Sequence, residues 1–197
     1  MTRSSLRDAS GFTLLEMLIA VTIVIILLAT TAMLMPGVVT LAKADSGSSQ
    51  LLTALRTARE QAVTERRNVT ISFVNPNRIE VRRDDLGLNG AGAIIVSGQT
   101  LVGTTILEQG MEFLRFPADV PDTPDGFAPV GNPIEFSGGQ PWQFTSEGTL
   151  VSQSGDVVNG TIFLARPNEP QTSRAITLFG ATALLREWKW NGAAWAE

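Results

Sequence analysis

The sequence of 197 residues contains no cysteine and no histidine. That removes disulfides, zinc centres of the usual Cys/His kind, thiol nucleophiles and every His-based catalytic triad. It does not place the protein in a compartment, since an exported protein can do without cysteine. Lysine occurs only at Lys43 and Lys189. Ser146, Ser152 and Ser154 therefore have neither a histidine nor a serine-x-x-lysine pattern to activate them. Charged residues are few, 17% of the chain, and acids outnumber bases 19 to 15 for a net charge of −4. An acidic chain is a poor starting point for a general nucleic-acid binder. At 44% apolar the chain is too hydrophobic for disorder, and its length suits one domain or one domain plus an appendage. Nothing here points to an enzyme, and neither a catalytic residue, a metal site nor a cofactor is expected.

What is present is unevenly spread. From Phe12 to Ala42 the only charged residue is Glu16, and Met17 to Ala42 is an uncharged run of 26. As a helix that run spans roughly 39 Å, against a hydrocarbon core of about 30 Å. Ahead of it, Met1 to Gly11 carries Arg3, Arg7 and Asp8. By the positive-inside tendency those arginines stay cytoplasmic and the C-terminal bulk crosses the membrane. A cleaved secretory signal would have an apolar core of only about 7–15 residues. Ala42-Lys43-Ala44 offers a cleavage site, but the run before it is too long and opens with an acid. A plain anchor leaves Glu16 unexplained, because an ionised carboxylate in lipid is costly unless paired.

The segment Gly11-Phe12-Thr13-Leu14-Leu15-Glu16, continuing as MLIAV, resembles the N-terminal signature of type IV pilin-like proteins, the prepilins and pseudopilins. The resemblance implies cleavage between Gly11 and Phe12 by a prepilin peptidase, N-methylation of Phe12, and Glu16 as fifth residue of the mature chain. Glu16 is then an assembly residue. A new amine at Phe12 lies four residues from Glu16, and the amine of an adjacent subunit can neutralise a buried carboxylate. Only one stagger of neighbouring helices brings those charges together, so the pair sets register.

After the membrane run, Leu41, Ala44, Ser48, Leu51, Leu52, Leu55, Ala58, Ala62 and Val63 recur at spacings of three and four. They predict that the helix continues as an amphipathic one packed on a globular domain, ending near Arg66-Arg67. Pro36-Gly37 and Gly47 are expected weak points. The period then changes. Val69–Val74 and Arg78–Arg83, turning at Asn75-Pro76-Asn77, read as a hairpin, with Asp84-Asp85 at its end. Further expected strands are 93–97, 104–108, 111–116, 134–136, 142–145, 160–165, 175–179 and 183–190. Pro117–Pro133 is expected as an ordered surface loop. The fold class is α+β: a long N-terminal transmembrane and amphipathic helix packed on an antiparallel β-sheet domain. The expected organisation is a leader at 1–11, a transmembrane and polymerisation segment at 12–42, an amphipathic helix at 43–67 and a periplasmic β domain at 68–197.

Within the pilin-like group, Phe144-Thr145-Ser146-Glu147-Gly148, then Asn159-Gly160-Thr161-Ile162-Phe163-Leu164, then Arg174-Ala175-Ile176-Thr177-Leu178 resemble the GspH/FimT pattern. That resemblance implies a minor pseudopilin of type II secretion, or else a minor type IV pilin for pilus assembly or DNA uptake. DNA-binding relatives carry a glycine-arginine-x-arginine run where this chain has Gly180-Ala181-Thr182-Ala183. Arg82 and Arg83 are the weaker candidates for nucleic-acid contact, and nucleic acid is not an expected partner. Asp119, Asp122 and Asp125-Gly126 hold oxygen ligands, but without the EF-hand spacing that calcium loops use. The tail Trp188 to Trp195 reads as a last hairpin turning at Asn191-Gly192, with tryptophans on the core; a docking surface is the alternative. The expected partners are other pseudopilins or pilins in a hetero-oligomeric filament, the prepilin peptidase and the bacterial inner membrane. The expected topology is single-pass, N-terminus cytoplasmic and C-terminal domain periplasmic.

Overall fold

A computed structural model of the chain describes residues 12–128 and 131–197, without the side chains of Met33, Leu34 and Pro36. It contains one helix, α1 (Leu14–Glu65), and ten strands: β1 (Val69–Val74), β2 (Arg78–Leu88), β3 (Ile94–Ile106), β4 (Ile134–Phe136), β5 (Trp142–Phe144), β6 (Leu150–Val151), β7 (Gly160–Arg166), β8 (Glu169–Phe179), β9 (Leu184–Trp190) and β10 (Trp195–Ala196). The chain divides into two compact units, Met1–Val39 and Thr40–Glu197.

In the first unit the described side chains of the helix are exposed. Leu14, Ile25, Leu28 and Val38 are all more than half exposed, and Leu14–Ala32 has a mean hydropathy of 2.5 with none of it buried. Its threonine hydroxyls are spent on its own backbone. Thr22 Oγ1 donates to the Leu18 carbonyl, Thr31 Oγ1 to Leu27, and Thr30 Oγ1 to Leu27 and Ile26. Such bonds leave no hydroxyl seeking water, as a hydrocarbon surrounding demands. At Pro36-Gly37, where a kink or a locally melted turn is expected, the helix is not melted and runs unbroken.

In the second unit the stripe does what its spacing predicts. Ala44, Ser48, Leu51, Leu52, Leu55, Ala58 and Ala62 are buried, while Leu41 and Val63 at its ends stay about 40% or more exposed. The expected weakness at Gly47 is a contact instead: a Cβ there would lie 2.6 Å from Met111 Cγ, so glycine lets the buried Met111 approach the helix. The helix ends as a Schellman turn. Arg66 adopts the left-handed conformation (φ 52°), and Arg67 N–H returns to the Ala62 carbonyl at 3.1 Å.

The strands form two antiparallel five-stranded sheets, in the orders β3-β2-β1-β5-β6 and β10-β9-β8-β7-β4. The architecture is α+β, as expected. Both sheets contribute to one core with the helix: Val69, Ile71, Ile79 and Phe144 from the first, Ile162, Leu164, Ile176 and Leu178 from the second. Alternation along β7 and β8 sends Phe163 and Ala175 to the opposite face, where they meet Ala128, Trp188 and Trp195.

That outer face explains the loop and the tail. The 117–133 segment is more than a surface loop, since Val120, Thr123 and Ala128 are buried. The Trp tail is a hairpin, β9 pairing with β10, turned by Asn191 Oδ1 accepting from Ala193 and Ala194 N–H. Trp195 Nε1 donates to the Pro121 carbonyl, tying tail to loop.

Three expected strand assignments change. The 93–97 and 104–108 segments are one strand, β3, because residues 98–101 also pair with β2 across bulges at Ser97 and Val102. Asp84-Asp85 lies inside β2 rather than at a hairpin end, paired with Gln99 and Gly98. Residues 111–116 form no strand. Glu112 bridges Ala165 of one sheet, while Phe113 N–H bonds Pro76 beside the other, so the backbone is divided between two sheets.

Candidate functional site

The first candidate site is built on the start of α1. Thr13 is its N-cap: Thr13 Oγ1 accepts from Glu16 N–H at 3.2 Å, and Met17 N–H makes the first helical bond to the Thr13 carbonyl at 3.1 Å. Thr13-x-x-Glu16 has the spacing of a capping box, of which the threonine half is present. Glu16 lies in the first turn, where the helix dipole favours negative charge. Its carboxylate is exposed and makes no hydrogen bond or ion pair among the described residues. Phe12, 75% exposed, precedes the cap. Gly11 lies outside the described residues. The start of the helix thus presents a carboxylate ready for a cation, one turn from the backbone nitrogen of Phe12.

The second candidate, Arg82 and Arg83, sits on β2 with its charge already answered. Arg82 Nη2 donates to Glu80 Oε2 at 3.0 Å. Arg83 donates through Nη1 to Glu65 Oε2 at 2.9 Å and through Nη2 to Asp85 Oδ1 at 3.3 Å. Hydrogen bonds from Gln61 and then Arg83 hold the Glu65 carboxyl below its ordinary range. Asp85 is lowered too, first by the Thr100 hydroxyl and then by Arg83. The guanidinium of Arg83 is raised by its bonds to Glu65 and Asp85. Arg83 thereby ties the end of the helix to the first sheet, while the Arg82 bond stays within β2.

Of the loop acids, Asp119 is exposed, whereas Asp122 and Asp125 are committed. Asp125 Oδ2 accepts from Thr177 Oγ1 at 2.6 Å and Trp188 Nε1 at 3.1 Å, and Oδ1 accepts from Arg186 Nη1 at 2.7 Å. Asp122 accepts the N–H groups of Thr123 and Ala128. Among the described residues no cluster of three His, Cys, Asp or Glu side chains is placed to hold a metal.

The family-like signatures mark tight packing. In Phe144-Thr145-Ser146-Glu147-Gly148, Gly148 takes φ +83° and its carbonyl accepts from Arg59 Nε at 3.2 Å. A Cβ on Gly160 would meet the Phe136 ring at 2.2 Å. Arg174 is 3% exposed and donates through Nε to Asp45 Oδ1 on the helix at 2.9 Å. No local pattern in the sequence links the two, since 129 positions separate them. Arg56 and Arg59 fall between the positions of the apolar stripe and are exposed.

Two family models match the chain: the prokaryotic N-terminal methylation motif over residues 6–32, and the type II transport protein GspH over residues 48–182. The first spans Gly11, Phe12 and Glu16; the second spans the helix stripe and both sheets as far as the β8–β9 turn. No curated protein and no solved structure matches the chain significantly.

Proposed function

The chain belongs to the family of the type II transport protein GspH, and from that premise we propose that it is a minor pseudopilin, a structural subunit of the type II secretion pseudopilus that assists protein export across the outer membrane. The family is structural and non-enzymatic, and a prepilin-like motif with an apolar helix supports a membrane-anchored single-pass protein. In this reading the precursor inserts with its leader inside. A prepilin peptidase trims it after Gly11, Phe12 is N-methylated, and residues 12–42 enter a filament with other pseudopilins. The domain from Thr40 onward faces the periplasm. Movement draws on an external cytoplasmic ATPase.

The observation that carries this reading is the pairing of a methylation motif with an unspent carboxylate. Glu16 finds no partner in its own described chain, and the amine created at Phe12 of an adjacent copy supplies one. A buried charge left alone is costly, so only the stagger that joins them is stable. Glu16→Ala is therefore expected to leave membrane insertion intact and to remove the subunit from filaments, scored by co-purification with the other pseudopilins. Undiminished co-assembly of Glu16→Ala overturns the reading. A minor type IV pilin acting in DNA uptake is the other role within the group. It gains little from Arg82 and Arg83, whose guanidinium groups face Glu80, Glu65 and Asp85.

A further inference from the structure

Most arginines of the Thr40–Glu197 unit have a carboxylate within 4.0 Å, among them Arg78, Arg82, Arg83, Arg166, Arg174 and Arg186. Among the described residues Arg56 and Arg59 do not, and neither do Arg66 and Arg115. Arg59 donates only to the Gly148 carbonyl, through Nε, and Arg56 has no hydrogen bond or ion pair among the described residues. Being i and i+3 on α1, the two cations share one face and repel each other. Both line a groove of about 490 Å³ that runs from the helix to the β8–β9 turn and the start of β9, where Leu184 and Leu185 form an apolar wall and Leu184 is 51% exposed. The groove on the other flank of the helix, about 480 Å³, is lined by no charged side chain at all.

We infer that the Arg56/Arg59 groove docks a carboxylate-bearing apolar segment of a neighbouring protein subunit: an Asp or Glu side chain, or a chain end, next to a leucine-sized residue. An anion between the guanidinium groups relieves their repulsion and accepts the forked bonds that arginine offers. The leucines reward an apolar neighbour that a sugar-phosphate chain does not carry. Glu60, in the same groove, admits one carboxylate but disfavours a polyanion whose charge repeats at every unit. The inference rests on the assembly reading only for the source of the partner.

The chain is tested full-length in its own membranes, with Thr182 at the groove rim replaced by the photo-cross-linking residue p-benzoylphenylalanine. The expected product joins Thr182 to a protein whose cross-linked peptide holds Asp, Glu or a C-terminus within a few residues of an apolar side chain. Arg56→Gln with Arg59→Gln is expected to lower its yield about tenfold, because both side chains are exposed and their loss spares the core. A cross-linked peptide without an acid, an unchanged yield in the double variant, a nucleic-acid adduct or no adduct overturns the inference. The cross-link is read whether or not Phe12 is processed and filaments form, so the docking groove and the assembly reading fail separately.

Discussion

The two halves of α1 both carry leucines, and those leucines meet opposite fates. From Met17 to Val39 the helix carries no charge, and Leu27 and Leu28 are more than half exposed. From Thr40 the apolar residues narrow to a stripe, and Leu51 and Leu55 are buried to within 1%. A helix apolar on every side needs an apolar surrounding; one apolar on a single side needs only a core. The same residue type therefore does different work at different positions.

Leucine-to-alanine substitutions break that comparison most sharply. Leu55→Ala removes a buried side chain from the core that both sheets share, and is expected to destabilise the domain by about 2–5 kcal/mol. Leu27→Ala is expected to leave domain unfolding unchanged. The measurement is denaturant unfolding in detergent followed by tryptophan fluorescence. It reports one half alone, because Trp142, Trp188, Trp190 and Trp195 all lie in the Thr40–Glu197 unit. Equal shifts for the two variants would mean that the halves do not unfold separately.

The two helix glycines sharpen the contrast at smaller scale. A Cβ at Gly37 meets nothing within 4 Å, whereas one at Gly47 meets Met111 Cγ at 2.6 Å. Gly37→Ala is expected to favour the helix by about 0.5–1 kcal/mol, read as higher helicity of the full chain in micelles. Gly47→Ala gains the same propensity but must displace a fully buried methionine. Its expected net effect on domain unfolding is a loss of about 1–2 kcal/mol, within the usual range for overpacking a core. A stabilised Gly47→Ala domain would show that Met111 can move aside.

How far the fold could be read in advance follows from the range of the forces involved. Local signals were legible. The stripe from Ala44 to Ala62, the Val69–Arg83 hairpin and the Asn191-Gly192 turn depend on neighbours within a few positions. So did the Phe12–Glu16 signature, whose meaning lies in the order of adjacent residues. Long-range choices were hidden. Nothing near Ser97 or Val102 announces that two expected strands fuse through bulges, and nothing near Asp45 names Arg174. The 117–133 loop looked solvent-bound because its prolines and acids suit a surface. Its burial comes from Asp125 reaching Thr177, Arg186 and Trp188 on strands more than 50 residues away. The Arg56/Arg59 groove was invisible for the same reason, since its apolar wall belongs to a distant turn and strand.

The smallest expected effect concerns charge at the end of the second half. Glu65, at the last residue of α1, and Asp85 on β2 both grip Arg83, and both carboxyls lie below their ordinary pKa. A carboxyl lowered in the folded state binds protons more readily once unfolded. Its stabilisation is therefore complete above the unfolded value of about 4 and disappears as pH falls through the lower folded value. Between pH 7 and pH 5 the tie should hold; below about pH 4 the domain should weaken, and Arg83→Met should flatten that acid slope. Because all three side chains are about 30% exposed, salt screens the tie. The slope is accordingly expected to shrink in high salt, whereas the loss caused by Leu55→Ala, an effect of packing, should persist there. An acid slope indifferent to both salt and Arg83→Met would place the sensitive carboxylates elsewhere in the domain.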